Sequence, residues 1–314
     1  MKVAVLDDYA GAALRLADWS ELDVTVFDAP LTDPAAQLRG FEAVCLMRER
    51  TPFPAELIEA LPDLRLIVTS GPRNAAIDLA AAEARGIVVS GTMSRKTTTS
   101  ELALLMILAL NRRLVPEMRA MERDGWQSGL GRDLAGLTLG VIGLGAIGGQ
   151  LAALGRALGM EVVAWSQNLD DDRAEEVGVR RAETLAELLA TADVASIHLV
   201  LSDRTRGLVD AAALEHAKPG LCLVNTSRGP IVEAAALLDW LRRDPAATAG
   251  LDVFDVEPLP MDHPLRDATL TGEGRLLLTP HLGYTTEETF RLFYRQTVEA
   301  VRAFADGEPI RRLA

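Results

Sequence analysis

A glycine-rich turn between an apolar run and a helical stretch constrains the fold of this chain more than any other feature. Residues 143–148 read Gly-Leu-Gly-Ala-Ile-Gly, between a β-rich run at 137–142 and a helical stretch at 147–158, and a second β-rich run follows at 161–165. The first glycine allows the tight turn, the second lets a pyrophosphate approach the backbone, and the third permits close helix–strand packing. This setting predicts a dinucleotide-binding βαβ unit.

The residue after the second β-rich run bears on which dinucleotide is bound. Sites that select NAD place an acid there, about 20 residues beyond the glycines. This chain has Ser166, followed by Gln167 and Asn168, with no Arg or Lys beside them in sequence to attract a 2′-phosphate. The acids at 170–172 are expected to cap or precede the next helix. The pattern favours NAD(H) and leaves NADP(H) open.

β-rich runs alternate with helical stretches along the rest of the chain. They lie at 3–6, 24–27, 43–47, 66–69 and 87–89 in a first series, and at 137–142, 161–165, 194–199, 221–225, 249–254 and 276–279 in a second. Such alternation predicts parallel sheets with right-handed crossovers, and 314 residues are enough for two domains. A buried helix is expected at 99–123, and an amphipathic helix at 287–304 is expected to return to the first domain.

Composition excludes several classes of protein. The chain has 45 acidic residues against 32 Lys and Arg and a pI of about 4.9, which disfavours nucleic-acid binding. Cys45 and Cys222 are the only cysteines, so neither a disulfide framework nor a metal cluster is expected, and a reducing, cytoplasmic compartment fits. No signal-peptide layout opens the chain. The apolar run at 102–110 is too short to span a bilayer, so no membrane partner is expected.

Three ionisable residues follow predicted strands of the second series: Arg228, Glu257 and His281. Ligands of doubly wound folds bind at the carboxyl ends of the strands. A guanidinium binds a carboxylate through two parallel hydrogen bonds, and a histidine exchanges a proton near neutral pH, with a neighbouring carboxylate to orient its ring. Each residue alone has a structural explanation, but together beside a nucleotide fold they predict a catalytic site.

In these residues and motifs the chain resembles the D-isomer-specific 2-hydroxyacid dehydrogenases over nearly its whole length. The matching segments are Leu139-Gly140-Val141-Ile142-Gly143-Leu144-Gly145-Ala146-Ile147-Gly148, Asn225-Thr226-Ser227-Arg228-Gly229-Pro230-Ile231-Val232, Leu251-Asp252-Val253-Phe254 with Glu257-Pro258, and Thr279-Pro280-His281. The resemblance implies an α/β fold of two doubly wound parallel-sheet domains. A Rossmann cofactor domain, residues 99–284, would be inserted into a flavodoxin-like substrate domain, residues 1–98 and 285–314, with the active site in the cleft.

The resemblance also implies roles for single residues. His281 would be the acid/base, Glu257 its partner and Arg228 the substrate anchor, while Asp252 would contact the nicotinamide carboxamide. The residues expected to bind the cofactor are Gly143, Gly145, Ala146, Ile147, Gly148, Ser166, Leu199, Thr226, Asp252 and Gly283. The residues expected to bind the substrate are Ser70, Gly71, Arg73, Arg48 and Arg50. Backbone N–H groups of the loop at 70–74 would hold the substrate carboxylate, and the family is usually dimeric through the cofactor domain and the helix at 99–123.

The chain departs from the family pattern at three places. Ser166 replaces the acid, Val200 stands where the family usually has proline, and the loop at 70–74 reads Ser-Gly-Pro-Arg-Asn where many members have Gly-Ala-Gly-x-Asp. The cations at 48, 50 and 73 are either a solvated surface run or a site for a second anionic group on the substrate.

These observations predict an NAD(P)-dependent oxidoreductase that transfers a hydride between its nicotinamide and C2 of a D-2-hydroxy acid or the matching 2-oxo acid. Its partners would be a small anionic acid and a second copy of the chain. A different class of protein shares the scaffold, a dinucleotide sensor or corepressor that does not turn over. Oxidation of formate or phosphite is a lesser enzymatic alternative.

Overall fold

The structure, a computed structural model, describes residues 1–314 and divides them into two compact units. The first unit consists of Met1–Arg95 and Thr285–Ala314, and the second of Lys96–Tyr284. The sequence placed the corresponding boundaries at 98/99 and 284/285. In both units the strands pair in parallel throughout, which confirms the predicted fold class.

The first unit is built on a five-stranded sheet in the order β2-β1-β3-β4-β5. Its strands are β1 (Lys2–Val5), β2 (Asp23–Val26), β3 (Ala43–Leu46), β4 (Leu66–Thr69) and β5 (Val88–Gly91). Its helices are α1 (Ala13–Leu16), α2 (Pro34–Gln37), α3 (Ala55–Ala60), α4 (Leu79–Ala84) and α13 (Glu287–Ala305). This strand order is that of flavodoxin-like sheets. The last helix returns to this unit, where the Tyr294 hydroxyl donates to the buried Asp8 carboxylate at 2.9 Å.

The second unit is built on a seven-stranded sheet in the order β12-β11-β10-β9-β6-β7-β8. Its strands are β6 (Thr138–Ile142), β7 (Glu161–Trp165), β8 (Arg180–Arg181), β9 (Val194–Ile197), β10 (Cys222–Asn225), β11 (Thr248–Leu251) and β12 (Leu276–Leu278). Its helices are α5 (Thr97–Asn111), α6 (Leu114–Met121), α7 (Ala146–Ala157), α8 (Asp171–Val177), α9 (Leu185–Thr191), α10 (Ala211–Leu214), α11 (Ala234–Arg243) and α12 (Ala268–Gly272). The order reverses between β6 and β9, which is the switch point where Rossmann folds bind dinucleotides.

The predicted helix at 99–123 is wrong as a single element. It is broken between α5 and α6 at Arg113, which takes a left-handed conformation with φ +54°. Pro116 lies in the first turn of α6. A proline lacks the N–H that a continuous helix would donate to the carbonyl of Arg112, and its ring would clash with that carbonyl. The sequence also missed β8, because two residues are too few to show a strand pattern.

No helix has both the length and the apolar composition needed to cross a bilayer. No group of three or more His, Cys, Asp or Glu side chains is arranged to hold a metal ion.

Candidate active site

The three glycines of the 143–148 turn have different surroundings. Gly143 has φ +105°, and a Cβ there would lie 2.8 Å from the carbonyl oxygen of His198. A Cβ on Gly148 would lie only 2.0 Å from the carbonyl oxygen of Gly143. Around Gly145, by contrast, a Cβ would meet no atom within 4 Å. The first and third glycines are therefore required by packing, and the second leaves open space above the backbone.

That open space lies at the beginning of α7, and the residues there fit a dinucleotide. Gly145 precedes the helix without a side-chain cap, so the first N–H groups of α7 are not satisfied by a capping side chain. Gly145 and Ala146 are exposed and Ile147 is half-buried. Free N–H groups at a helix N-terminus with no side chain in front of them bind phosphate.

Two further residues expected at the cofactor lie at the ends of neighbouring strands. Thr226 directly follows β10, and its hydroxyl oxygen is buried without a hydrogen-bond partner. Leu199 lies two residues beyond β9 and is half-buried. An unpartnered buried hydroxyl beside the switch point is a group that a bound ligand would satisfy.

The turn that follows β7 contains Ser166, which stands where NAD-selective sites have an acid. Ser166 is half-buried, and its carbonyl accepts from the N–H of Leu169 at 3.2 Å. The Asp170 carboxylate accepts from the N–H of Arg173 at 2.8 Å, which confirms the predicted helix cap at the start of α8. Arg204, remote in sequence, lies beside this turn, where its guanidinium donates to Asn168 at 3.3 Å. The turn therefore has a cationic neighbour that adjacency in sequence did not show.

His281 and Glu257 are in direct contact at the predicted catalytic centre. His281 Nδ1 lies 2.6 Å from Glu257 Oε2, and both side chains are largely buried, with 16% and 24% of their surface exposed. The other carboxylate oxygen of Glu257 accepts from the N–H of Phe254 at 2.9 Å. This pairing engages Nδ1, so proton exchange with a substrate would use Nε2.

The charge state of Glu257 follows from its surroundings. Burial acts to raise the pKa of this carboxyl, but the hydrogen bond and positive charge of His281, together with the charge of Arg228, hold the pKa below its ordinary value. Glu257 is therefore ionised at neutral pH, and its negative charge lies beside the imidazole of His281.

A buried carboxylate holds the loop that carries His281. Asp252 is fully buried, and burial raises its pKa. It accepts from the Thr279 hydroxyl at 2.6 Å and from the N–H groups of Leu282 and Gly283 at 2.7 and 2.8 Å. Its backbone carbonyl accepts from the N–H of His281 at 2.9 Å. The structure thus gives Asp252 a positioning role in addition to the cofactor contact that the family resemblance implies.

Arg228 is positioned by the turn that follows β10. The Asn225 amide donates to the carbonyl of Arg228 at 2.9 Å and accepts from the N–H of Ser227 at 3.0 Å. A Cβ on Gly229 would lie 2.1 Å from the carbonyl carbon of Phe254. Only glycine allows the two loops to approach so closely, and this approach brings Arg228 and Glu257 to the same end of the sheet.

In the first unit, the loop after β4 is held by Arg48. Arg48 donates from its N–H to the Ser70 hydroxyl at 2.8 Å and from its guanidinium to the Ser70 carbonyl at 3.0 Å. Gly71 has φ +97°, and a Cβ there would overlap the Arg48 guanidinium. The N–H of Ser70 donates to Leu46 and that of Gly71 to the Thr92 hydroxyl.

These contacts reduce the number of backbone N–H groups that the loop at 70–74 can offer to a substrate carboxylate. The N–H groups of Ser70 and Gly71 are used within the first unit, and Pro72 has none, so the backbone donors that remain are those of Arg73 and Asn74. Arg50 and Arg73, the two other cations expected to bind the substrate, have different surroundings. Arg50 donates to the carbonyl of Asp7 at 3.0 Å and lies over the Tyr9 ring at 4.8 Å, whereas the Arg73 side chain is exposed.

The structure brings Arg228, Glu257, His281 and Asp252 together at the carboxyl end of one sheet, as the sequence predicted. It also shows two contributors that sequence reasoning missed. Tyr284 packs edge-on against the His281 ring with centroids 5.1 Å apart, and only its proximity in sequence hinted at this. Arg204 gave no sequence signal.

The fold and the glycine turn define a Rossmann-type dinucleotide-binding protein as the class. The family described as D-isomer specific 2-hydroxyacid dehydrogenase, NAD binding domain, matches residues 104–283. The chain belongs to the D-isomer specific 2-hydroxyacid dehydrogenase family, which confirms the resemblance seen in its motifs.

Three similar proteins place the chain within the family. It is 37% identical to the (S)-sulfolactate dehydrogenase of Chromohalobacter salexigens over 289 residues, covering 90% of this chain and 92% of that protein. It is 33% identical to the D-3-phosphoglycerate dehydrogenase of Bacillus subtilis over 290 residues, covering 91% of this chain and 54% of that protein. The crystal structure of a phosphoglycerate oxidoreductase from Vibrio cholerae O395 matches with a TM-score of 0.91 and 36% identity, covering 98% and 99% of the two chains.

The lengths of these proteins differ from that of the chain. It spans 54–58% of the first D-3-phosphoglycerate dehydrogenases that it matches, but nearly the full length of the sulfolactate dehydrogenase and of the Vibrio structure.

Proposed function

We propose that this chain interconverts a D-2-hydroxy acid and its 2-oxo acid with a nicotinamide cofactor. The observation that carries the proposal is the 2.6 Å contact between His281 and Glu257, at the same sheet edge as Arg228 and in the same unit as a turn that fits a dinucleotide. When bound, the nicotinamide supplies the transfer of a hydride to or from C2 of the substrate.

His281 handles the proton in this proposal. In reduction, its protonated imidazole donates from Nε2 to the carbonyl oxygen of the oxo acid, and in oxidation the neutral ring accepts the proton of the hydroxyl. Glu257 orients the ring through Nδ1 and stabilises its positive charge. Asp252 fixes the backbone of the loop that presents the ring.

Arg228 anchors the substrate. A guanidinium matches a carboxylate with two parallel hydrogen bonds. From this place it also polarises the carbonyl to be reduced, which stabilises the charge that develops on oxygen. Arg73 and Asn74 would add backbone N–H groups to the carboxylate, in a loop held by Arg48.

We further propose a substrate with two anionic groups. The names of the similar proteins, phosphoglycerate and sulfolactate dehydrogenase, describe substrates that carry a phosphate or a sulfonate besides the carboxylate. Arg50 and the exposed Arg73 are the candidates for the second group. Ser70 and Gly71 would shape the loop around it.

For the cofactor we propose NAD(H), with NADP(H) as a second possibility. The family that matches is an NAD-binding one. The glycine turn, Thr226 and Leu199 would line the cofactor site. Ser166 would meet the adenosine ribose, and the region of Asp252 and Gly283 would meet the nicotinamide. Both cysteines are unpaired and buried, which supports a reducing, cytoplasmic location.

We also propose that the protein is a homodimer that associates through the second unit. Large apolar side chains are exposed there on α5, on α6 and on the segment that follows. They are Leu105, Leu114, Met118, Met121, Trp126 and Leu130, with Trp126 73% and Leu130 95% exposed. Such a group of apolar side chains is typical of a protein–protein interface. A molar mass in solution of about twice 33.8 kDa would support it.

One experiment tests the activity directly. A panel of 2-oxo acids, including mono- and dianionic ones, is incubated with NADH or NADPH while the absorbance of the reduced nicotinamide is followed. Turnover of any member supports the proposal. A chain that binds NADH but turns over none of the acids, in either direction, would instead be a dinucleotide sensor or corepressor.

A further inference from the structure

A tertiary contact joins two loops at the ribose end of the dinucleotide site. The turn at 166–169 follows β7, and the loop at 198–210 follows β9. The Gln167 side-chain amide donates to the carbonyl of Arg204 at 2.8 Å, and the Arg204 guanidinium donates to the Asn168 side-chain oxygen at 3.3 Å. Two side chains of the turn thus hold one arginine of the loop beside Ser166.

The charge of Arg204 is not neutralised by a neighbour. No acidic group lies within the 4.0 Å of an ion pair with it, although it is exposed. Two acids that follow the turn have other partners, since Asp170 caps α8 and Asp171 pairs with Arg181 at 2.6 Å. A guanidinium that is held in place and unpaired is suited to bind an anion.

The position of this guanidinium indicates which anion it would meet. In Rossmann folds the adenosine ribose lies beyond the carboxyl end of the second strand, which is β7 here. An acid at this place accepts from the 2′-hydroxyl of NAD, and a nearby arginine accommodates the 2′-phosphate of NADP. Ser166 presents a neutral hydroxyl there, and Gln167 and Asn168 carry no charge.

We propose that Arg204, held by Asn168 and Gln167, binds the 2′-phosphate of NADP(H), so that this chain binds NADPH and NADH with affinities within about tenfold of each other. The inference rests on the proposed dinucleotide site. Cofactor choice would then depend on a residue that lies 38 positions from Ser166 in the sequence.

Direct binding measurements test this without turnover. Isothermal titration calorimetry with NADH and with NADPH would compare the wild-type chain with Arg204→Gln and Arg204→Lys. The matched control is Arg206→Gln, which removes the same charge from an exposed residue of the same loop that makes no ion pair either. Loss of a charge-assisted contact predicts that Arg204→Gln weakens NADPH about 10–100-fold and NADH less than threefold. Arg204→Lys should recover part of the loss, and Arg206→Gln should change neither affinity more than threefold.

Three results would overturn the inference. The first would be a wild-type chain that binds NADH but binds NADPH more than about tenfold more weakly. The second would be an Arg204→Gln chain in which both dinucleotides are weakened equally. The third would be an Arg206→Gln chain in which NADPH is weakened as much as in Arg204→Gln. Failure of the wild-type chain to bind either dinucleotide is a different outcome, because it would also overturn the proposed function.

Discussion

His281 Nδ1 lies 2.6 Å from Glu257 Oε2, a contact between residues 24 positions apart on two loops at the same end of one sheet. The loop of His281 is tied to Asp252 and that of Glu257 to the backbone of Phe254. Neither ring nor carboxylate has to be ordered when a substrate arrives, which is the preorganisation that proton transfer needs.

Replacing His281 should abolish the proton transfer but not the cofactor site. His281→Asn is the variant of choice, because His281 has φ +54° and asparagine tolerates that conformation better than alanine. We expect kcat to fall at least about 100-fold, with the affinity for NADH changed less than threefold in calorimetry. His216→Asn, at an exposed position of the same unit, should remain fully active. An active His281→Asn enzyme would reject the assignment.

Glu257→Gln should shift the pH profile of reduction. The amide can still accept from Nδ1–H but lacks the negative charge that stabilises a protonated ring, so the alkaline limb of the kcat/KM profile should move to lower pH. The measurement is a pH series with one oxo acid and saturating NADH. Asp255→Asn, an exposed acid two positions away, should leave the limb in place. If the Glu257→Gln profile matches that of the wild type, the two residues do not act as a pair.

Two glycine variants should separate folding from cofactor binding. In Gly148→Ala the new Cβ would lie 2.0 Å from the Gly143 carbonyl oxygen, so we expect a loss of stability of about 3 kcal/mol. Gly145→Ala meets no protein atom within 4 Å, so its unfolding temperature should stay within about 2 °C of the wild type. Its affinity for NADH should nevertheless fall at least about tenfold. Tight NADH binding by a folded Gly145→Ala protein would show that the open space is not used by the dinucleotide.

Variants of the cations in the first unit should distinguish substrates by charge. Arg50→Ala or Arg73→Ala should cost about 10–100-fold in kcat/KM on a dianionic oxo acid and little on pyruvate, because only the former loses a charge-assisted contact. Arg48→Ala should weaken both substrates, since its guanidinium holds the Ser70 loop. The exposed Arg39→Ala serves as the control. Equal efficiency on both classes of acid in every variant would show that these cations are only solvated.

His198 should make the fold acid-sensitive. Burial lowers the pKa of His198 to about 4, and its Nδ1 has no hydrogen-bond partner. The unfolded chain takes up this proton below about pH 6.5 and the folded chain resists it, so stability should fall as the pH drops from about 6.5 towards 4. In urea unfolding, the wild type should lose about 3 kcal/mol more stability over this pH range than His198→Gln does. Parallel pH dependences in the two proteins would contradict the burial argument.

Local patterns in the sequence were sufficient for much of the architecture. The runs at 66–69 and 161–165 became β4 and β7 without a shift, because buried parallel strands are near-continuous apolar segments. Chain order alone also put Arg228, Glu257 and His281 at strand ends, and in a parallel sheet those ends meet at one edge. Boundaries were less predictable where a single backbone angle decides, as at Arg113.

The sequence by itself therefore determined the two parallel sheets, the glycine turn and the placement of Glu257 and His281 at strand ends, since each depends on residues close together in the chain or on strand direction. Only the tertiary structure decided which backbone donors of the loop at 70–74 remain after Gly71 donates to Thr92, and that Arg204 lies beside Asn168. These are hydrogen bonds between segments remote in sequence. Their geometry depends on how loops pack at the sheet edge, and no local pattern of residue types encodes that packing.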